Sequence, residues 1–183
     1  MLATMTDERV PLGGRAELGA FGWLAARVSG RVAGTEPLAL FRTIGKHRKL
    51  FRGWLRFAGR LMPGGTLPRR ETELVILRVA HLRDNAYEFA HHERLSRRSG
   101  VRREEIDLVR QGPSASGWSE RERVILAAVD LLHHEQDLDD TSWTALRAHL
   151  SERETIELIM LVGHYEMLAT YITTLRLKPD AKR

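Results

Sequence analysis

Apolar residues recur every three to four positions through most of this 183-residue chain and almost never alternate at period two, which predicts helices and no sheet. Residues 1–14 read as a flexible N-terminal arm, and a short helix is expected over residues 17–28. A long amphipathic helix follows Pro37, carrying Leu40, Phe41, Ile44, Phe51, Trp54, Leu55, Ala58 and Leu61, and Pro63-Gly64-Gly65 ends it. Two helices come next, one from Pro68 and one over residues 86–99, then a short helix over 103–110 and a loop over 111–117. Ser119-x-x-Glu122 and Ser151-x-x-Glu154 are capping boxes that open two further helices, with another over residues 141–149 between them. The last helix is apolar nearly all round from Leu158 to Ile172, which places it in the core or at a subunit interface. The pattern as a whole reads as an all-α, single-domain helical bundle of about six to eight helices, spanning residues 15–177 and followed by a basic tail over 178–183.

The apolar stripes carry polar residues that need an explanation. Pro68 suits a first helical turn, and Glu73 then recurs with Ile76, Leu77 and Ala80 at helical spacing, while Arg69, Arg70 and Arg83 can reach water. On the next helix Glu88, His92, Leu95, Ser96 and Ser99 share one face, and Arg94, Arg97 and Arg98 lie opposite, with Gly100 as a left-handed cap. Two carboxylates and an imidazole on core-facing positions are costly to bury unless they meet one another or a ligand. Such a cluster is a candidate proton-transfer site, against the plainer readings of a dipole partner for Glu73 and a surface i, i+4 pair for Glu88 and His92.

Composition narrows the classes. The 43% hydrophobic and 29% charged content is that of a globular protein, and no apolar run reaches the roughly 18 residues of a membrane span. The first residues hold early acids and no apolar core, so no secretory signal is expected. The net charge of +5 and the basic, aromatic-interleaved stretch with Arg42, Lys46, Arg48, Lys49, Arg52, Arg56 and Arg60 raise a phosphate- or membrane-binding reading. The spacing of Phe51, Trp54 and Phe57 with Leu55, Ala58 and Leu61 favours inward packing instead, and no nucleic-acid-binding motif accompanies it. The doubled histidines, His91–His92 and His133–His134, invite a metal reading, but adjacent histidines point about 100° apart on a helix and rarely chelate one ion. His91, His133 and His134 read as capping or solvated residues. His164 lies on an apolar face with Leu161 and Leu168, where a structural role outweighs a functional one, and Tyr165 is expected to bury its ring.

The order E-x14-E-x3-H-x7-G, set by Glu73, Glu88, His92 and Gly100 within LPRRETELVILRVA and NAYEFAHH, resembles the carboxymuconolactone decarboxylase family. Residues 47–74 resemble its lead-in helix, and residues 118–175 its C-terminal half. The resemblance implies the all-helical alkylhydroperoxidase D-like fold. The peroxidase branch carries C-x-x-C-x-x-x-H downstream of a glutamate. With that histidine on His92 and that glutamate on Glu73, its two cysteines fall on Asn85 and Glu88, and this chain has no cysteine at all. A disulfide-based peroxidase cycle needs a thiolate, so it is not expected here. Tyr87-Glu88-Phe89 followed by His92 resembles the cysteine-free branch.

The resemblance implies a carboxy-lyase of aromatic-compound catabolism that acts on a small carboxylated or lactone-type organic acid. Loss of carbon dioxide from an unsaturated lactone acid leaves a dienolate that must be protonated, which needs a proton donor and a partner for the oxygens. In that reading His92 transfers the proton, Glu88 orients it and Glu73 completes the relay. Tyr87 donates a hydrogen bond, Arg70 or Arg78 holds an anion, and His164 is a further substrate-binding candidate. The alternative is a non-catalytic, oligomeric small-molecule-binding protein of the same fold. Neither metal nor cofactor is expected. The resemblance and the greasy last helix imply a homo-oligomer, a trimer or a multiple of one. A cytoplasmic location without nucleic-acid or membrane partners completes the expectation.

Overall fold

The computed structural model describes residues 8–182. Residues 1–7 of the expected arm and residue 183 of the expected tail lie outside the described residues. Among the described residues there are nine α-helices and no strand: α1 (Arg15–Ala33), α2 (Ala39–Ile44), α3 (Arg48–Leu61), α4 (Arg69–Leu82), α5 (Ala86–Arg98), α6 (Arg103–Gln111), α7 (Glu120–His134), α8 (Asp140–His149) and α9 (Glu152–Leu175). The all-α expectation holds, with one helix more than the upper end of the expected number. The described residues form two compact units, one from residues 8–57 with 170–182 and one from residues 58–169.

The first unit holds α1, α2 and the start of α3. Here the single long helix expected after Pro37 is two helices. Gly45 closes α2 by donating its N–H to Phe41 O, and a Cβ at Gly45 would lie 3.0 Å from Leu18 Cγ. His47 then opens α3, its Nδ1 accepting the N–H of Leu50. The apolar period runs through this break, so the pattern alone did not mark it. Phe41, Phe51 and Trp54 pack ring against ring, with centroids 5.2–5.8 Å apart. Residues 8–14 are tied down rather than loose: Arg9 N donates to Leu175 O, Gly13 N to Arg42 O, and Lys46 Nζ to Pro11 O. The tail is likewise held, by Ala39 N on Asp180, Glu36 N on Ala181 O and an isolated antiparallel bridge between Thr35 and Lys182.

The second unit is built around α4. Every residue from Glu71 to Ala80 is buried, and α4 packs on α5, α6 and α7. Leu74 and Leu77 join Val101, Ile106, Val109, Ala115, Trp118 and Leu126 in one apolar cluster. A helix buried on all sides must pair every charge it carries. Glu71 accepts a bidentate pair from Arg121. Arg78 donates Nε and Nη2 to Asp130 at 2.6 and 2.8 Å, and Nη1 to Val109 O and Arg110 O. Gly112, at φ 92°, leaves room for that guanidinium, since a Cβ there would lie 2.7 Å from Arg78 Nη2. Arg78→Lys keeps the charge and loses the fork, so it is expected to lower stability by roughly 2 kcal/mol. Urea unfolding checks this, and a midpoint equal to the parent's would contradict it.

α9 is apolar nearly all round, as expected, but only part of it is covered. Leu158, Leu161, Val162, His164, Tyr165 and Leu168 are buried, while Ile156, Ile159, Met160 and Met167 are exposed along one face. Among the described residues it is the one helix long and apolar enough to cross a membrane by length and composition, and its buried face marks it as a core helix.

Candidate functional site

The three-residue turn between α4 and α5 creates the site. Asp84 adopts φ 48°, and Asn85 N bonds back to Ala80 O. Asn85 then caps α5, its Oδ1 accepting the N–H of Glu88 at 3.0 Å. α5 runs back along α4, and the faces read from the sequence meet: Glu88, His92 and Ser96 are buried, while Arg97 and Arg98 are exposed.

Glu73, wholly buried, sits between two cationic groups. Arg69 Nη2 donates to its Oε1 at 2.5 Å, and His92 Nδ1 donates to its Oε2 at 2.7 Å. The other ring nitrogen, His92 Nε2, lies 3.4 Å from Glu88 Oε2, beyond the ordinary N–H···O range. Burial opposes a charge on His92, but Glu73 and then Glu88 outweigh it and hold its pKa up to about 9. The residue is an imidazolium at neutral pH, with one proton committed to Glu73 and the other loosely held.

Tyr165 closes the far side. Its ring meets His92 edge to face at 5.3 Å, and its hydroxyl donates to Met62 Sδ at 3.8 Å. Burial pushes the phenol well above its usual pKa, and the charges of Glu88 and Glu73 add to that. His164 packs on Tyr165 at 5.2 Å; burial pulls its pKa down to about 4 against the opposing pull of Glu88, so it is a neutral imidazole.

The structure therefore brings Glu73, Glu88 and His92 together. Glu73, rather than Glu88, makes the short bond that orients the ring. Tyr87 is buried on α5 with its ring 4.8 Å from that of His91. His164 reaches the site through Tyr165. Arg70 and Arg78 do not fit as anion holders. Arg70 is saturated by Glu105, Glu122 and Gly100 O, and Arg78 by Asp130 and two carbonyls. Each is bound by partners that are distant in the chain and that spacing could not reveal. His91 is buried rather than solvated, and His133 pairs with Glu166 at 2.6 Å rather than capping its helix. Arg69 and Tyr165 are the site residues that the sequence reading left out. Arg69 stands one helical turn before Glu73, which was a usable signal; Tyr165 had none.

Among the described residues, no group of three His, Cys, Asp or Glu side chains is placed to hold a metal ion. A cavity of about 320 Å³ in the first unit, lined by Leu18, Gly19, Phe21, Arg48, Phe51 and Arg52 among others, includes none of the residues above.

Residues 48–131 match the model of the carboxymuconolactone decarboxylase family, a stretch that contains Glu73, Glu88 and His92 and ends inside α7. No curated protein matches the sequence. Among solved structures, the alkylhydroperoxidase AhpD core of an uncharacterized peroxidase-related protein from Ralstonia eutropha JMP134 is 17% identical, with a TM-score of 0.83 over 94% of this chain and 92% of that one. A peroxidase-related protein from Silicibacter sp. TM1040 is 14% identical, with a TM-score of 0.81 over 97% and 96%. The debrominase Bmp8 is 16% identical, with a TM-score of 0.81 over 96% and 94%. At these identities the likeness establishes the alkylhydroperoxidase D-like fold and nothing of the activity.

Proposed function

We propose that this chain, whose residues 48–131 match the carboxymuconolactone decarboxylase family model, acts on a small carboxylated or lactone-type organic acid by proton transfer from His92. The observation that carries the reading is the placement of the buried His92 ring between two carboxylates: Nδ1 is fixed on Glu73 at 2.7 Å, and Nε2 faces Glu88 at a slack 3.4 Å. In the reaction, the bond from the ring carbon to the carboxylate breaks and carbon dioxide leaves. The electron pair passes into the conjugated lactone carbonyl as a dienolate, and His92 Nε2–H protonates the carbon. The neutral imidazole then recovers its proton from solvent. Glu73 keeps the ring oriented throughout, and Glu88 supports its charge. The substrate's own carbonyl is the electron sink, so the scheme uses no cofactor.

The fold alone does not choose this chemistry, since a debrominase shares it. The competing reading is a non-catalytic small-molecule-binding protein, and the near-complete burial of Glu73, Glu88 and His92 favours it to the extent that a buried polar cluster can simply fix helix packing. The exposed apolar face of α9, with Ile156, Ile159, Met160 and Met167, supports a homo-oligomer; a trimer or a multiple of one, and a cytoplasmic location, rest on the family resemblance alone.

A panel of five-membered unsaturated lactone acids tests the proposal by carbon dioxide release. Release above a protein-free control, lost in Glu73→Gln, is the expected result. Ligands that raise the melting temperature without any release would favour the binding protein. With no cysteine in the chain, an organic hydroperoxide and a thiol reductant should react no faster than in buffer. A faster rate would overturn the exclusion of thiol peroxidase chemistry.

A further inference from the structure

An enzyme that acts on an acid must hold the acid's charge, and the two arginines expected to do so are saturated elsewhere. Arg69 is different. One arm of its guanidinium, Nη2, is on Glu73, while the other, Nη1, is shielded from water and meets no hydrogen-bond acceptor among the described residues. A guanidinium N–H held out of water without an acceptor is unfavourable, so this arm is poised for one supplied from outside. The side chain as a whole is 35% exposed, which leaves a route from solvent. Tyr165, whose ring meets that of His92 edge to face, also lies within the electrostatic reach of Arg69. Arg69 is also the first residue of α4, and Pro68 provides no side-chain cap there, so the positive end of the helix dipole adds to the guanidinium.

We propose that Arg69 binds the carboxylate of the ligand through Nη1 and so positions the ligand's ring at His92. Arg69 and His92 grip the two oxygens of the same Glu73 carboxylate, so an anion on Nη1 is held by a side chain that shares Glu73 with the imidazole. The other end of the site sets the rest of the ligand's chemistry. Glu88 Oε1 and Asn85 Nδ2 are both buried and unpartnered on the first turn of α5. Glu88 repels a second carboxylate, and the Asn85 amide, whose Oδ1 is committed to the helix cap, offers a donor to a neutral carbonyl or ether oxygen. The ligand class is therefore a small monocarboxylic acid with a neutral, oxygen-bearing ring. This inference rests on the proton-transfer reading of the same site.

The test uses 2-furoate, a planar five-membered-ring acid that is stable to decarboxylation, and its neutral amide, 2-furamide, titrated into the intact protein by calorimetry. The parent protein should prefer furoate by about tenfold or more. Arg69→Lys keeps a cation beside Glu73 but has no second arm, so it should melt like the parent and lose most of that preference. Arg69→Met should lose it entirely, at some expense of stability. Equal affinity for acid and amide in the parent, or an unchanged preference in Arg69→Lys, would overturn the proposal. Because no turnover is measured, the outcome separates from that of the relay. A retained acid preference alongside relay variants that still turn over would sink the relay alone.

Discussion

Replacing His92 by glutamine is expected to lower turnover by about 10²- to 10⁴-fold, the range of a lost general acid. Glutamine keeps an amide donor for Glu73 but has no transferable proton near neutral pH. The measurement is kcat on any lactone acid accepted by the parent, taken where circular dichroism shows the variant folded. The sequence alone suggests that such a conservative variant melts almost normally. The structure changes that expectation, because the ring is an imidazolium set between two buried carboxylates, and a neutral amide cannot replace its charge. Destabilisation is thus common to the catalytic and the packing readings, and only loss of turnover in the folded variant separates them. Activity within a few-fold of the parent would end His92's role as proton donor and leave the cluster as a packing device.

The part of the site that was legible in the sequence is the part encoded locally. Glu88 and His92 are one helical turn apart, and their side of α5 is marked by the arginines on the opposite side. Glu73 shares the spacing of Ile76, Leu77 and Ala80, so its burial could be read from α4 alone. The capping boxes at Ser119 and Ser151 located the starts of α7 and α9. What was not legible depended on partners far along the chain. Arg70 finds Glu105 and Glu122, and Arg78 finds Asp130, only after α6 and α7 pack on α4. Both look like free cations in the sequence, and both are internal ties. Tyr165 reaches His92 from 73 residues away in sequence, through α9 packing that no local pattern announces. The break at Gly45 and His47 was hidden for a different reason: apolar residues keep their helical phase across it, and the cap is a histidine ring rather than a Ser, Thr, Asp or Asn signal.

The same imidazolium makes stability depend on pH with a definite sign. His92 has an ordinary pKa of 6.5 when unfolded and is held up to about 9 when folded, against the cost of burial, by Glu73 and Glu88. A group whose pKa rises on folding contributes fully below its unfolded value and loses that contribution as pH climbs through its folded value. The stabilisation should therefore be complete below pH 6.5 and fade between there and about 9. With 1.36 kcal/mol for each tenfold change in proton affinity, the contribution is on the order of 3 kcal/mol. Other groups titrate in this window, so the informative quantity is a difference. The gap in urea unfolding free energy between the parent and His92→Gln should be widest near pH 6 and close by roughly 3 kcal/mol as the solution passes pH 9. kcat should decline over the same upper limb if the imidazolium is the acid, because the proton that stabilises the fold is the one delivered to the substrate. A gap that stays constant from pH 6 to 10 would mean that His92 is neutral in the folded protein. The relay would then have to run with a base, not an acid, at its centre.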